Sequence, residues 1–446
     1  MVPVMRSVEV LYLFFTNKLK HDAEPVPRTL SVSHGLQKFD LSPWYPSTVT
    51  MISASYTGPN ELTLTTIDKR TRNVGELLIK VHSAGLNPTD IKHLYSGMLP
   101  YSGTKATQNK PVGFGSEGSG VVVSVPEANE INNQPSFQVG DNVYFLVDRM
   151  NQKQEQGSVS EFVSVQPAHA AVVPPSLSMV RAAATPLALL TAYQALRMQG
   201  YATKECGIGK RILITGASGG VGHFAVQLAK NVYKFDTVVA VCSKENAPFV
   251  QNLGADEVID YKTEKIVATK YLSNKFDVGF DLVGGDPMCC SPCDCCAARG
   301  DLGHTIQKVR KVTKRSGAIV GLMTGASFAG PCGTLCGILC SCLPGLCLYK
   351  CSCCSPKYSS YFLPRGHIGK TNEDLNVLGE WIEEGLVIPE VSCEVGMKDV
   401  RSGIARMDKP YRAFNSDSSS KEEATPGTCN SGSSPHRGKV VVRILI

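Results

Sequence analysis

Seven residues near the middle of the chain, Gly216-Ala217-Ser218-Gly219-Gly220-Val221-Gly222, have the composition of a phosphate cradle. An apolar, strand-like run, Arg211-Ile212-Leu213-Ile214-Thr215, precedes them, and a helical stretch from His223 to Lys230 follows. That context gives a glycine motif its meaning. Glycines allow a tight turn and let backbone amides approach a pyrophosphate. The helix N-terminus then supplies unpaired N–H groups and a favourable dipole. Gly216, Ser218, Gly219, Gly220, Val221 and Gly222 are therefore candidates to hold a dinucleotide. The competing reading is a tight strand–helix turn with no ligand.

The end of the next strand sets the nucleotide preference. An acidic residue there would bind a ribose 2′-hydroxyl, as NAD sites do. This chain has Cys242-Ser243-Lys244. A hydroxyl followed by a cation suits a 2′-phosphate. Glu245, one step later, argues for NAD, and Lys244 taken alone also fits a solvated surface lysine. The balance predicts NADPH.

These groups need elements to position them. From about Val49 short β-like runs alternate with turn signals such as Gly58-Pro59-Asn60, continuing to about residue 170. This pattern predicts an all-β domain of partly closed, barrel-like form. After Pro174-Pro175 a helix is expected from Met179 to Gln199, and then strands alternate with helices, the mark of a doubly wound parallel sheet. The fold class is α/β. Expected divisions are an extension over 1–46, a β-rich catalytic domain over 47–175, a nucleotide-binding domain over 176–370 with cysteine-rich inserts at 289–296 and 332–354, and a part over 371–446 that returns to the catalytic domain after a flexible loop at 416–435. Lys439 to Ile444 reads as the returning strand. Hydrophobic residues make up 43% and charged residues 19%, enough for a packed core. The net charge of +6 is scattered, with no basic block interleaved with aromatics, so no nucleic-acid partner is expected.

Several further stretches carry a specific likeness. They are Ala84-Gly85-Leu86-Asn87-Pro88-Thr89-Asp90, Gly115-Ser116-Glu117-Gly118-Ser119-Gly120, Val139-Gly140-Asp141-Asn142-Val143, Pro186 to Tyr193, Leu253 to Tyr261, and Phe280-Asp281-Leu282-Val283-Gly284-Gly285. With the glycine loop they occur in the order used by the medium-chain dehydrogenase/reductase superfamily. Residues 48 to 446 resemble its zinc-free quinone-oxidoreductase side, the branch of reticulon-interacting mitochondrial, alkenal and quinone reductases. The resemblance implies a GroES-like β-barrel domain packed on a Rossmann domain. It implies that Ser218, Gly220, Val221 and Gly222 meet the pyrophosphate, that Ser243 and Tyr261 meet the adenosine 2′-phosphate end, and that Gly284 passes near the nicotinamide. A C-terminal stretch, Pro435-His436-Arg437-Gly438-Lys439, makes His436 and Arg437 further cofactor candidates.

Zinc-dependent members carry a Cys in the first motif and a His in the second. Here those positions are Asn87 and Ser116. Catalytic zinc needs about three Cys, His or carboxylate ligands, so no metal is expected. Without that Lewis acid, the chemistry implied is NADPH-dependent, zinc-independent hydride transfer to a quinone or an α,β-unsaturated carbonyl, with developing oxyanion charge met by hydrogen bonds. Asn87 is the candidate donor, with Lys92, Tyr95 and Thr191 as secondary ones; loop capping is the plainer role for Asn87. Glu117 reads as a structural carboxylate in the cleft wall. The alternative function is a catalytically weak nucleotide-binding sensor or scaffold of the same fold.

Thirteen of the 17 cysteines lie between Cys289 and Cys354, and none precedes Cys206. A disulfide scaffold would spread them through the fold, so a reducing compartment is expected, cytoplasmic or mitochondrial. The uncharged stretch Leu335 to Leu348 would suit S-acylation and a peripheral membrane contact; soft-metal binding and an incidental insert are the other readings. No run is long enough to span a membrane. The family likeness also carries the expectation of a homodimer.

Overall fold

The computed structural model describes residues 50–99, 104–127, 136–147, 156–283, 305–322, 357–361, 371–413 and 437–444, all within the compact unit Pro46–Ile446. The cysteine-rich segments, the loop at 416–435, Gly284 and His436 lie outside the described residues.

The N-terminal part is β-rich. Strands β1 (Thr50–Tyr56) and β2 (Leu62–Asp68) form an antiparallel hairpin. There follow β3 (Leu77–Leu86), helix α1 (Pro88–Ser96), β4 (Glu117–Ser124), β5 (Asn142–Leu146), β6 (Phe162–Val165) and β7 (Ala170–Val172). The second part opens with helices α2 (Met179–Ala183) and α3 (Pro186–Arg197). Then β8 (Arg211–Thr215), α4 (Gly222–Gln227), β9 (Thr237–Cys242), α5 (Ala247–Asn252), β10 (Glu257–Asp260), β11 (Phe276–Asp281), α6 (Thr305–Val312), β12 (Thr313–Leu322) and β13 (Lys357–Tyr361) build a parallel sheet. Helix α7 (Thr371–Glu383), β14 (Val391–Gly396), α8 (Val400–Ala413) and β15 (Lys439–Arg443) close the described chain.

Two sheets carry the architecture. The GroES-like one runs β7-β5-β4-β3-β15-β14, with β6 also paired to β3. Its strand β15 lies antiparallel to β3 and parallel to β14. The Rossmann sheet runs β10-β9-β8-β11-β12-β13, every neighbour parallel. In sequence order that is 3-2-1-4-5-6, the doubly wound arrangement whose switch point lies between the first and fourth strands. Here those are β8 and β11, so the crevice opens where β8 ends, directly at Gly216.

Burial follows from the sequence. Strands β8 and β9 are largely apolar and, like β11, mostly buried, as parallel strands covered on both faces must be. Against them pack Leu189, Leu190 and Ala192 of α3 and Phe224, Ala225 and Leu228 from α4 and its last turn. The barrel core, with Ile79, Val81, Leu86, Val143, Phe145 and Val442, is separate.

The helix expected from Met179 to Gln199 is two helices. Pro186 has no N–H to donate and crowds the turn before it. It therefore starts α3 at the first helical position, where a missing donor costs nothing. The break lets Leu187 turn its amide elsewhere, with consequences for the site.

Helix α7 is fastened to α3 by one carboxylate. Arg197 of α3 grips both oxygens of buried Asp374, one contact measuring 2.9 Å, and Gln194 donates a third hydrogen bond at 2.6 Å. Asp374→Ala strands the half-buried guanidinium. It should cost about 3 kcal/mol of unfolding free energy, read from urea denaturation; a loss below 1 kcal/mol would make the contact incidental.

Candidate active site

The glycine loop begins where β8 ends. Gly216 turns in the left-handed region at φ 62, which favours glycine. An added Cβ at Gly222 would sit 2.2 Å from the Gly216 carbonyl, so only glycine allows α4 to start this close to the strand. At Gly219 the nearest such contact is the Gly216 carbonyl at 3.2 Å, and at Gly220 the Lys439 stem at 3.2 Å. Gly219 and Gly220 therefore leave the backbone free of side-chain bulk where a pyrophosphate would approach, and the loop fits a dinucleotide. The two crevice strands are tied by Thr215, which donates to Asp281 at 2.5 Å and accepts from the Leu282 amide at 3.1 Å.

A second group lies at the end of β9. Ser218 and Ser243, both buried, are bridged by Asn246, whose amide donates to their hydroxyls at 3.2 and 3.3 Å. The Asn246 carbonyl oxygen accepts from Arg437 at 3.2 Å. Arg437 also donates to the Glu245 carbonyl at 3.1 Å and lies over the Phe249 ring. Lys244 and Tyr261 are exposed beside it. Glu245 faces Lys262 at 3.2 Å. Its carboxyl is pushed down to about 2 by a hydrogen bond from its own backbone, the Ser243 side chain and Lys262.

The third group is in the GroES-like cleft. Asn87 caps α1 from the end of β3: the Asp90 carboxylate accepts from the Asn87 amide N–H at 2.9 Å. The other Asp90 oxygen accepts from Ser116 at 2.5 Å. The Asn87 side chain donates to Glu117 at 2.7 Å. Lys439, the first residue of β15, sends its ammonium to Glu117 at 2.6 Å, to the Leu86 carbonyl at 3.0 Å and to the Asn87 carbonyl oxygen. Both charges of this ion pair are sealed from water. The second Glu117 oxygen accepts from the Leu187 amide at 2.7 Å, where the dipole of α3 favours an anion. Gly85 makes room: a Cβ there would lie 2.7 Å from Glu117.

A fourth contact locks the loop from behind. His223 is wholly buried, with Nδ1 3.1 Å from the Gly219 carbonyl and Nε2 3.3 Å from the Glu390 amide. Accepting from Glu390 makes Nε2 the bare nitrogen and Nδ1 the donor. Burial pushes its pKa down to about 3.

Among the expected residues, the structure brings Ser218, Ser243 and Arg437 to one place, with Lys244 and Tyr261 at its open side. Asn87 lies in the cleft cluster. Lys92 and Tyr95 are half-buried on the same helix α1, and burial lowers Lys92 to about 8. Thr191 spends its hydroxyl hydrogen on the Leu187 carbonyl at 2.6 Å. Sequence reasoning missed Asn246, His223 and Lys439. Nothing in their local sequence marks Asn246 or His223. Lys439 lies in the stretch Pro435-His436-Arg437-Gly438-Lys439, from which the sequence reading singles out only His436 and Arg437.

Two outcomes follow from this geometry. Gly220→Asp puts a carboxylate into the bare arc and against the Lys439 stem, and should abolish nucleotide binding in a protein whose circular dichroism is unchanged; retained affinity would remove the loop from the site. For His223, the unfolded chain takes up a proton near the ordinary pKa of 6.5, whereas the folded one resists to about 3. Stability is thus untouched above 6.5 and falls by about 1.4 kcal/mol per pH unit as pH drops through that window. His223→Gln should flatten the loss between pH 6.5 and 4.5 in urea melts.

Comparison with known proteins agrees with the architecture. Residues 73–175 match the family model of the alcohol dehydrogenase GroES-like domain, and residues 220–305 that of the zinc-binding dehydrogenases. The chain is 36% identical over 231 residues to the human mitochondrial NAD(P)H oxidoreductase RTN4IP1, covering 49% of this chain and 54% of that one. It is 35% identical over 254 residues to the chloroplastic NADPH-dependent alkenal/one oxidoreductase of Arabidopsis thaliana, covering 56% and 55%. It thus spans about half the length of the curated relatives it matches. The solved quinone oxidoreductase of Coxiella burnetii superposes with a TM-score of 0.61 at 25% identity, over 89% of this chain and 100% of that one. With a GroES-like domain, a doubly wound sheet and a glycine loop at its switch point, the chain has the two-domain architecture of the medium-chain dehydrogenase/reductases and is similar to members of their quinone-oxidoreductase-like branch.

Proposed function

We propose that the protein uses NADPH, without a metal, to reduce a quinone or an α,β-unsaturated carbonyl. The observation that carries this reading is the buried ammonium of Lys439 at the cleft cluster beside the glycine loop. The two positions that hold Cys and His in zinc-dependent members are Asn87 and Ser116, and their neighbours are Asp90, Glu117 and this cation. An amide and a hydroxyl are poor zinc ligands, and Glu117 is already neutralised. The donor set does not fit zinc.

The glycine loop and the group at the end of β9 suit a phosphorylated dinucleotide. Ser218 to Gly222 would hold the pyrophosphate, and Ser243, Lys244 and Arg437 the 2′-phosphate, with Tyr261 beside them. Glu245, the residue that argued for NAD, is matched by Lys262. NADPH, when bound, supplies a hydride, and one proton from solvent completes the two-electron reduction to hydroquinone or saturated carbonyl. The chain's part is to meet the charge that builds on the acceptor oxygen. Asn87 has two amide hydrogens, of which Glu117 takes one. The other is the donor we assign to that oxygen. Relatives named mitochondrial or chloroplastic support an organellar rather than a cytoplasmic address.

The purified protein should oxidise NADPH only when a quinone or alkenal is added, and should bind it more than tenfold tighter than NADH, because a charged phosphate contact is worth about 1.5–3 kcal/mol. Turnover should survive chelation, and primary alcohols should not be oxidised. Equal affinity for NADH would remove the 2′-phosphate assignment. Nucleotide binding with no turnover on any acceptor would leave the sensor reading in its place.

A further inference from the structure

We propose that Lys439 is a positioning residue: it fixes the orientation of the Asn87 amide and links that amide mechanically to the glycine loop. The inference rests on the reductase reading above and names what holds its proposed donor in place. Lys439 is not itself a spare donor. An ammonium has three hydrogens, and here three acceptors take them: the Leu86 carbonyl, Asn87 Oδ1 and Glu117 Oε1.

What those contacts do is polarise and orient an amide. Asn87 presents its oxygen to the cation and its nitrogen to the carboxylate. Rotated by half a turn, it would set NH2 against an ammonium and oxygen against a carboxylate. Two buried charges therefore leave one orientation, and with it one direction for the second N–H. The cation at Oδ1 also draws electron density from the amide and strengthens that N–H as a donor.

The same side chain touches the nucleotide loop. Its stem passes 3.2 Å from where a Cβ on Gly220 would lie. One residue earlier, the Gly438 amide donates to the Ser218 carbonyl at 3.0 Å, with Gly438 at φ 51. A Cβ there would meet the Glu390 carbonyl at 2.3 Å, and that carbonyl also accepts from the Lys439 amide at 2.9 Å. Arg437, Gly438 and Lys439 thus clamp the nucleotide seat and the acceptor cleft with three consecutive residues.

The test compares Lys439→Met with the double variant Lys439→Met/Glu117→Gln. The single variant strands a carboxylate, so it should lose both stability and turnover. The double variant removes both charges and should regain thermal stability. A positioning role predicts that kcat stays down about a hundredfold in the double variant, with acceptor KM and NADPH affinity within about threefold of wild type. If kcat returns with stability, the ion pair is only structural and the proposal fails. A second readout needs no turnover. With 15N-asparagine labelling, the Asn87 side-chain amide is identified by its loss in Asn87→Ala. Its two protons should be well separated and slow to exchange with solvent in wild type, and should merge or exchange faster in the double variant. An unchanged amide signal overturns the proposal even if the wild-type protein reduces no acceptor, an outcome that by itself would defeat the reductase reading and not this one.

Discussion

Two opposite charges, both sealed from water, meet 2.6 Å apart where the barrel, the C-terminal strand and the second domain converge. Desolvating them is expensive, and the cost is offset only because each charge makes three hydrogen bonds. Glu117 accepts from Lys439, Asn87 and the amide at the start of α3. Lys439 uses all three hydrogens. Removing either partner leaves the other charged and dry. The positions of β3, β4, α3 and β15 are therefore interdependent at this point, and the cleft cannot relax one element without disturbing the rest.

The glycine loop is held with similar economy from two sides. On one side Asn246 and Arg437 join it to the end of β9 and to the returning chain. On the other, His223 connects it to Glu390 through a ring that must stay neutral to serve as both donor and acceptor. Bare backbone faces the crevice between these supports. A loop of this composition would otherwise be floppy, because glycine gains the most freedom on release. Neighbouring side chains, with the loop's own Ser218 hydroxyl, give it one shape.

Much of the fold was legible because it depends on local rules. Continuous apolar runs marked β8 and β9; proline and glycine marked the turns; and the glycine loop announced the switch point. The single helix expected from Met179 was wrong in one respect: Pro186 was read as part of a helical run rather than as its new beginning. Of the site, residues in named motifs such as Asn87, Ser218 and Ser243 could be found. The groups that hold them were harder to see. Lys439 reaches Asn87 across 352 positions and Asn246 reaches Ser218 across 28, and spacing carries no trace of contacts made by tertiary folding. Glu117 was seen as a wall carboxylate, and its cation partner stayed hidden.

The placement of β15 has a further consequence, for biosynthesis. Strand β3 is made early, yet one of its edges waits for residues 439–443, which leave the ribosome more than 300 residues later. During that interval the nascent barrel presents an open row of backbone donors and acceptors, with a buried carboxylate still lacking its cation. Exposed strand edges invite pairing with other chains, and long-range closure slows folding. The delayed strand leaves this half of the protein with an unpaired sheet edge until residues 439–443 have emerged.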